Sequence, residues 1–152
     1  MKDTLKNTVT RRDFGKVSAA AGTFAILGAK GTSAATKTLK VGLLGCGGRG
    51  TQDAMNLLAG NEGVELVAMA DIFEEHLKAR RKQLAEHNDA NISSKVKVTD
   101  DKCFIGWDAY QQILNTDIDI IMETCTPFIR PKHIEAAVEA GKHIFAEKPV
   151  AT

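Results

Sequence analysis

The chain of 152 residues has room for one ordinary domain, and 43% hydrophobic with 26% charged residues is the composition of a soluble globular protein. A formal net charge of +1 gives no electrostatic reason to expect nucleic acid or an anionic membrane surface as partner. The cysteines Cys46, Cys103 and Cys125 form no CxxC and are odd in number, and the four histidines show no metal-ligand spacing, so neither a disulfide scaffold nor a metal centre is expected.

Residues 1–35 read as an address label. Thr10-Arg11-Arg12-Asp13-Phe14-Gly15-Lys16 precedes an apolar stretch from Val17 to Ala29 and a small-residue end at Ser33-Ala34-Ala35 that suits signal peptidase. The stretch is shorter than the roughly 20 residues a spanning helix needs, so no permanent membrane anchor is expected. It is diluted by glycines and followed by Lys30. These features resemble a twin-arginine (Tat) signal, with Phe14 and Lys16 at the matching places after Arg12. The Tat route exports folded proteins, so a cofactor loaded in the cytosol travels with its protein. A periplasmic or otherwise exported location is expected.

From residue 36 onward, strands and helices alternate. Leu39–Leu44 is a short apolar run closed by glycines and predicts a buried strand. Arg49–Ala59 predicts a helix stopped by Gly60-Asn61, Val64–Ala70 a second strand, and Phe73–His87 a second helix. After a polar loop from Asn88 to Ser94, Lys95–Thr99 reads as a brief third strand and Asp108–Leu114 as a short helix. Ile118–Thr124 reads as the fourth strand, Pro131–Ala140 as a helix with proline in its first turn, and Lys142–Ala146 as the fifth strand. Five strands interleaved with helices predict a doubly wound parallel α/β sheet, a Rossmann fold over residues 36–152.

The first strand runs into Gly45-Cys46-Gly47-Gly48-Arg49-Gly50, a GxGxxG. Gly45 permits a tight turn, Gly47 lets the main chain approach a pyrophosphate, and Gly50 lets the helix pack against the strand, with Gly48 inside the same cradle. The phosphates then lie over a helix N-terminus, where unpaired amides and the dipole favour an anion. Arg49 is open to two readings, a phosphate contact or a solvated surface arginine. Asp71 ends the second strand 21 positions beyond Gly50. There a carboxylate accepts hydrogen bonds from the adenosine ribose hydroxyls and repels a 2′-phosphate, so NAD is expected in preference to NADP.

Two further segments carry a family resemblance. Glu123-Thr124-Cys125-Thr126-Pro127 ends the fourth strand, and Ala140-Gly141-Lys142-His143-Ile144-Phe145-Ala146-Glu147-Lys148-Pro149 spans the fifth. Together they resemble the N-terminal domain of the Gfo/Idh/MocA oxidoreductases over Leu39 to Thr152. The resemblance implies that Thr126 and Pro127 pass beneath the nicotinamide ribose, that Glu147 lies on the cofactor side, and that Lys148 is the catalytic residue beside nicotinamide and substrate. It also implies a second α/β substrate domain absent from this chain, a homo-oligomer when complete, and a sugar or polyol substrate. The chain is therefore expected to be a fragment or one part of a split protein, with little catalysis of its own.

The Thr-Pro loop departs from the commoner family pattern. Phe128-Ile129-Arg130-Pro131-Lys132-His133 follows it, which leaves His133 open between a ligand-side and a helix-packing role, and Arg130 equally open. Trp107 and Tyr110 read as core or helix-face residues before adenine-side ones. The leading function is hydride transfer between nicotinamide and a carbinol carbon. The alternatives are an NAD-using glycoside hydrolase or lyase of the same family, and a noncatalytic NAD-binding module.

Overall fold

Strand formation here follows from runs of residues that can be buried on both faces of a sheet. In the computed structural model, which describes residues 37–152, those runs become β1 (Leu39–Leu44), β2 (Val64–Asp71) and β4 (Ile120–Glu123), flanked by the edge strands β3 (Cys103–Ile105) and β5 (His143–Ala146). The expected Tat signal lies outside the described residues. All pairings are parallel, in the order β3–β2–β1–β4–β5, which reverses direction at β1. The connecting helices are α1 (Gly48–Gly60), α2 (Glu74–Ala85), α3 (Ala90–Ser93), α4 (Ala109–Leu114) and α5 (Arg130–Glu139). Among the described residues no helix is long and apolar enough to cross a membrane.

The period of two along each strand divides the core into two layers. Val41 and Leu43 of β1, Met69 of β2 and Met122 of β4 pack with Ala54 and Leu58 of α1 and with Leu77 and Leu84 of α2. Their neighbours Leu44, Ala68, Ala70 and Ile121 face the opposite way, onto Ala109, Tyr110 and Ile113 of α4 and Ala137 of α5. Gly42 lies on that second face because space is short there. A Cβ added to it would come within 2.9 Å of Ile118 Cδ1 and 3.0 Å of Ile113 Cδ1.

The third strand differs from the expectation. Residues 95–99 touch β2 at a single bridge, Leu66 to Val96, through two backbone bonds of 3.0 and 2.7 Å. A 3-10 turn at Asp100–Lys102 then lifts the chain, and Cys103–Ile105 makes the real edge strand against Met69–Asp71. Three residues at an edge bury too little to show an alternating pattern. The polar segment read as loop also contains the one-turn helix α3, capped by Asp89, whose side chain accepts from the Asn91 amide.

Register fixes what the fold presents at its working edge. Leu44 pairs with Ala70 on one side and with Glu123 on the other, so β1, β2 and β4 end level. Gly45, Asp71 and Thr124 consequently emerge side by side at the carboxyl edge, where ligands of open α/β sheets bind. The sheet depends on its first layer. Leu43 is fully buried, and Leu43→Ala should lower the unfolding free energy by about 2–5 kcal/mol in urea denaturation; an unchanged midpoint would contradict its place in the core.

Candidate functional site

The turn after β1 is held by bonds from both neighbouring strands, β2 and β4. The Gly45 amide donates to Ala70 O at 2.9 Å. The Thr124 hydroxyl reaches Gly45 O at 2.7 Å and Leu44 O at 3.1 Å. The Cys46 amide donates to Asp71 Oδ2 at 2.5 Å. Gly45 has φ +95°, a left-handed conformation that glycine tolerates best. Gly50 meets a different demand. A Cβ there would collide with the Gly45 carbonyl and the Thr124 hydroxyl, so its absence lets α1 start tight against the strand turn.

Gly47 and Gly48 are constrained by neither effect. Cβ atoms on them would meet nothing within 4 Å. What their bare backbone keeps open is the space before the N-terminus of α1. That end has Gly47 as its cap, no capping side chain and no acidic residue in its first turn. Its first amides therefore lack partners from the chain and face outward as a ready anion site. The cradle fits a pyrophosphate.

A cleft of about 300 Å³ opens beside this end, between the β1 turn, the β2 end and the β4 loop. Gly45, Gly47, Asp71 and Thr126 line it. Asp71 is 8% exposed, and its Oδ1 also accepts from the Phe73 amide at 2.9 Å. A carboxylate has about four lone-pair sites, so two remain for hydroxyl donors in the cleft. Trp107 and Tyr110 both line it too; Tyr110 does so from the packed position expected of it, whereas Trp107 departs from the packing role expected. Tyr110 is buried in the core, whereas Trp107 is 74% exposed at the mouth, because Gly106 at φ +106° turns the chain out of the sheet just before it.

The remaining sequence-derived residues gather at the neighbouring side. Arg49 donates through Nη2 to Glu147 Oε1 at 2.5 Å and through Nε to Asp53 Oδ2 at 3.1 Å. That ion pair spans from the start of α1 to the residue after β5. The Arg49 guanidinium, by hydrogen bond and charge, holds the Glu147 carboxyl below the usual carboxylate range. Lys148 is exposed, its amide donates to Glu147 Oε2 at 3.2 Å, and its bond to Pro149 is cis. Pro127 occupies the turn after Thr126 and does not line the cleft.

Behind the cleft is a buried polar junction that the motifs do not announce. Glu123, at the end of β4, is 1% exposed. Arg130 Nε donates to its Oε2 at 2.6 Å, and His133 Nδ1 lies 3.0 Å from its Oε1. The Arg130 guanidinium also donates to the carbonyls of Cys125 and Pro149. His133 stacks on Tyr110 at 4.8 Å and reaches the cleft wall. Both residues left open by the sequence thus share one carboxylate. Glu123, Cys125 and His133 offer three ligand atoms within 4.8 Å of one another, but the Arg130 cation already holds the carboxylate. Burial, with Glu123 nearby, raises the Cys125 thiol, and burial likewise raises Cys46, so neither favours its thiolate form.

Comparisons with known proteins give the family. The Gfo/Idh/MocA family model, described as an oxidoreductase family with an NAD-binding Rossmann fold, matches residues 39–152. An apo scyllo-inositol dehydrogenase from Lactobacillus casei superposes with a TM-score of 0.60 at 26% identity, covering 76% of this chain and 30% of that one. A myo-inositol dehydrogenase from the same organism, in complex with NAD(H) and myo-inositol, gives 0.56 at 26%, covering 75% and 29%. A 3-ketoreductase from Actinomadura kijaniata in complex with NADP gives 0.56 at 22%, covering 76% and 32%, a likeness of fold alone. The chain therefore spans about a third of the length of these relatives. Curated proteins give no match.

The two kinds of glycine separate in a stability test. Gly50→Ala should cost about 1–3 kcal/mol through overpacking, while Gly48→Ala should leave stability within about 0.5 kcal/mol or raise it through helix propensity. Equal effects in urea denaturation would refute the close approach at Gly50. The ion pair has its own signature. A depressed carboxyl contributes stability that is present above its unfolded value and fades as pH falls through its folded value. Arg49→Ala should move the Glu147 midpoint upward, toward the ordinary range, in a carboxyl NMR titration; an unmoved midpoint would show that the pair does not form in solution.

Proposed function

The chain belongs to the Gfo/Idh/MocA oxidoreductase family, its residues 39–152 being that family's NAD-binding Rossmann domain, and from this premise we propose that it serves an exported enzyme oxidising a sugar or polyol hydroxyl. The observation that carries the reading is the level ending of β1, β2 and β4, which sets the bare helix N-terminus of α1 and the Asp71 carboxylate around one cleft. Inositol dehydrogenases among the relatives support a polyol as substrate class. The Tat-like segment supports export, and a homo-oligomer is part of the proposal for the complete protein.

Each residue has a task in this reading. The amides at Gly47, Gly48 and Gly50 would hold the pyrophosphate, and Arg49 would add a positive charge there. Asp71 takes the adenosine ribose hydroxyls on its free lone pairs, and its charge disfavours a 2′-phosphate, which favours NAD over NADP. Thr126, with Pro127 stiffening its turn, would border the ribose on the nicotinamide side, and Glu147 would border the same end. The bound dinucleotide supplies the hydride acceptor. Lys148 Nζ, as the neutral amine, would take the hydroxyl proton as the carbinol carbon is oxidised, and the resulting ammonium would steady developing alkoxide charge.

The test is turnover by the full-length protein with myo-inositol and other polyols, followed by NADH absorbance. Lys148→Ala should lower kcat on the order of 10²- to 10⁴-fold while leaving NADH affinity nearly unchanged. Release of a glycoside aglycone without net NADH would move the assignment to an NAD-using hydrolase or lyase. Undiminished activity in Lys148→Ala would remove the lysine from the chemistry.

A further inference from the structure

Lys148 follows a strand end but belongs to no element of its own. Residues 148–150 lie past the last ladder bond of β5, in which the Glu147 amide donates to Glu123 O at 3.0 Å. Beyond that point, among the described residues, one hydrogen bond joins this turn to another element, and it comes from the Arg130 guanidinium to the Pro149 carbonyl. On the other side of the lysine, Arg49 holds the Glu147 side chain at 2.5 Å. Lys148 is bracketed by two arginines.

We propose that Arg130 is a positioning residue that aims Lys148 at the nicotinamide end of the cofactor, an inference that rests on the reading of Lys148 given above. Charge neutralisation of Glu123 does not by itself account for Arg130. One carboxylate oxygen needs only the Nε donor, at 2.6 Å, and His133 serves the other at 3.0 Å. The rest of the guanidinium reaches past the carboxylate to the carbonyls of Cys125 and Pro149. Those carbonyls belong to the loops after β4 and β5, which carry Thr126 and Lys148. A planar fork with five donors can span three acceptors in fixed directions, whereas a lysine ammonium is a point charge on a flexible stem. Arg130 is 3% exposed and Glu123 1%, so the anchor is shielded from solvent. It sets the separation of the two loops between which the nicotinamide ribose is proposed to lie.

The test reads the place of Lys148 without needing a substrate. The full-length protein is treated with an N-hydroxysuccinimide acetate, with and without saturating NADH, and acetylation of each lysine is followed by mass spectrometry. In the parent, NADH should slow acetylation of Lys148 about tenfold and leave Lys78 unaffected. In Arg130→Lys, shielding should fall below about twofold while NADH affinity stays within about threefold of the parent. A merely structural role would lower affinity and shielding together. If Arg130→Lys does not fold, Glu123→Gln keeps the side-chain shape but weakens the hold on the guanidinium, and its shielding should also fall. Parent-like shielding in whichever variant folds overturns the proposal. Absence of shielding in the parent overturns it too, and in that case the reading of Lys148 fails first.

Discussion

The hydrogen bond from the Cys46 amide to the Asp71 carboxylate is the interaction on which the site depends. It ties the turn after β1 to the end of β2, at the side of the sheet where the strand order reverses. One oxygen of Asp71 braces the glycine turn and the other braces its own turn at Phe73. The acid proposed to select the cofactor also fixes the backbone that would receive the phosphates. Loss of its side chain would therefore disturb both ends of the adenosine site together, since a buried amide left without its acceptor costs about 1–3 kcal/mol.

The opposite wall is built from the same few residues. Thr124 locks the Gly45 carbonyl from β4, so the turn is gripped from both neighbouring strands. Glu123, one residue earlier, points its carboxylate into the protein and organises Arg130 and His133. Removing one partner from such a buried pair leaves a charge uncompensated, which is far more costly than the pair itself is stabilising. That asymmetry makes the junction an all-or-none support for the loops after β4 and β5.

Much of this was legible in the sequence because the signals are local. The five-strand alternation, the glycine turn and Asp71 rest on short-range patterns, and the strands, the turn and the level strand ends follow them. The edge strand at Cys103–Ile105 was not legible, since three residues at a sheet edge carry no period and a 3-10 turn displaces it from the apolar run at 95–99. The Glu123–Arg130–His133 junction escaped for another reason. Glu and Arg are ordinarily exposed and His only intermediate in burial, and only the tertiary approach of α5 to the end of β4 buries them together. A glutamate inside an otherwise apolar strand was the available signal. Trp107 misled in the other direction, because a large apolar residue is usually buried, yet here a left-handed glycine turns it outward beside the cleft.

The account stands on the cradle before α1 and the carboxylate across the cleft acting as one receptor for a nicotinamide dinucleotide. Titration calorimetry of the folded protein with NADH and with NADPH addresses that directly. One NADH per chain, with NADPH bound at least about tenfold more weakly, is the expected result, since a 2′-phosphate beside Asp71 adds repulsion on the order of 1.4 kcal/mol or more. Folded protein that gives no heat with either nucleotide and carries none from purification would contradict it.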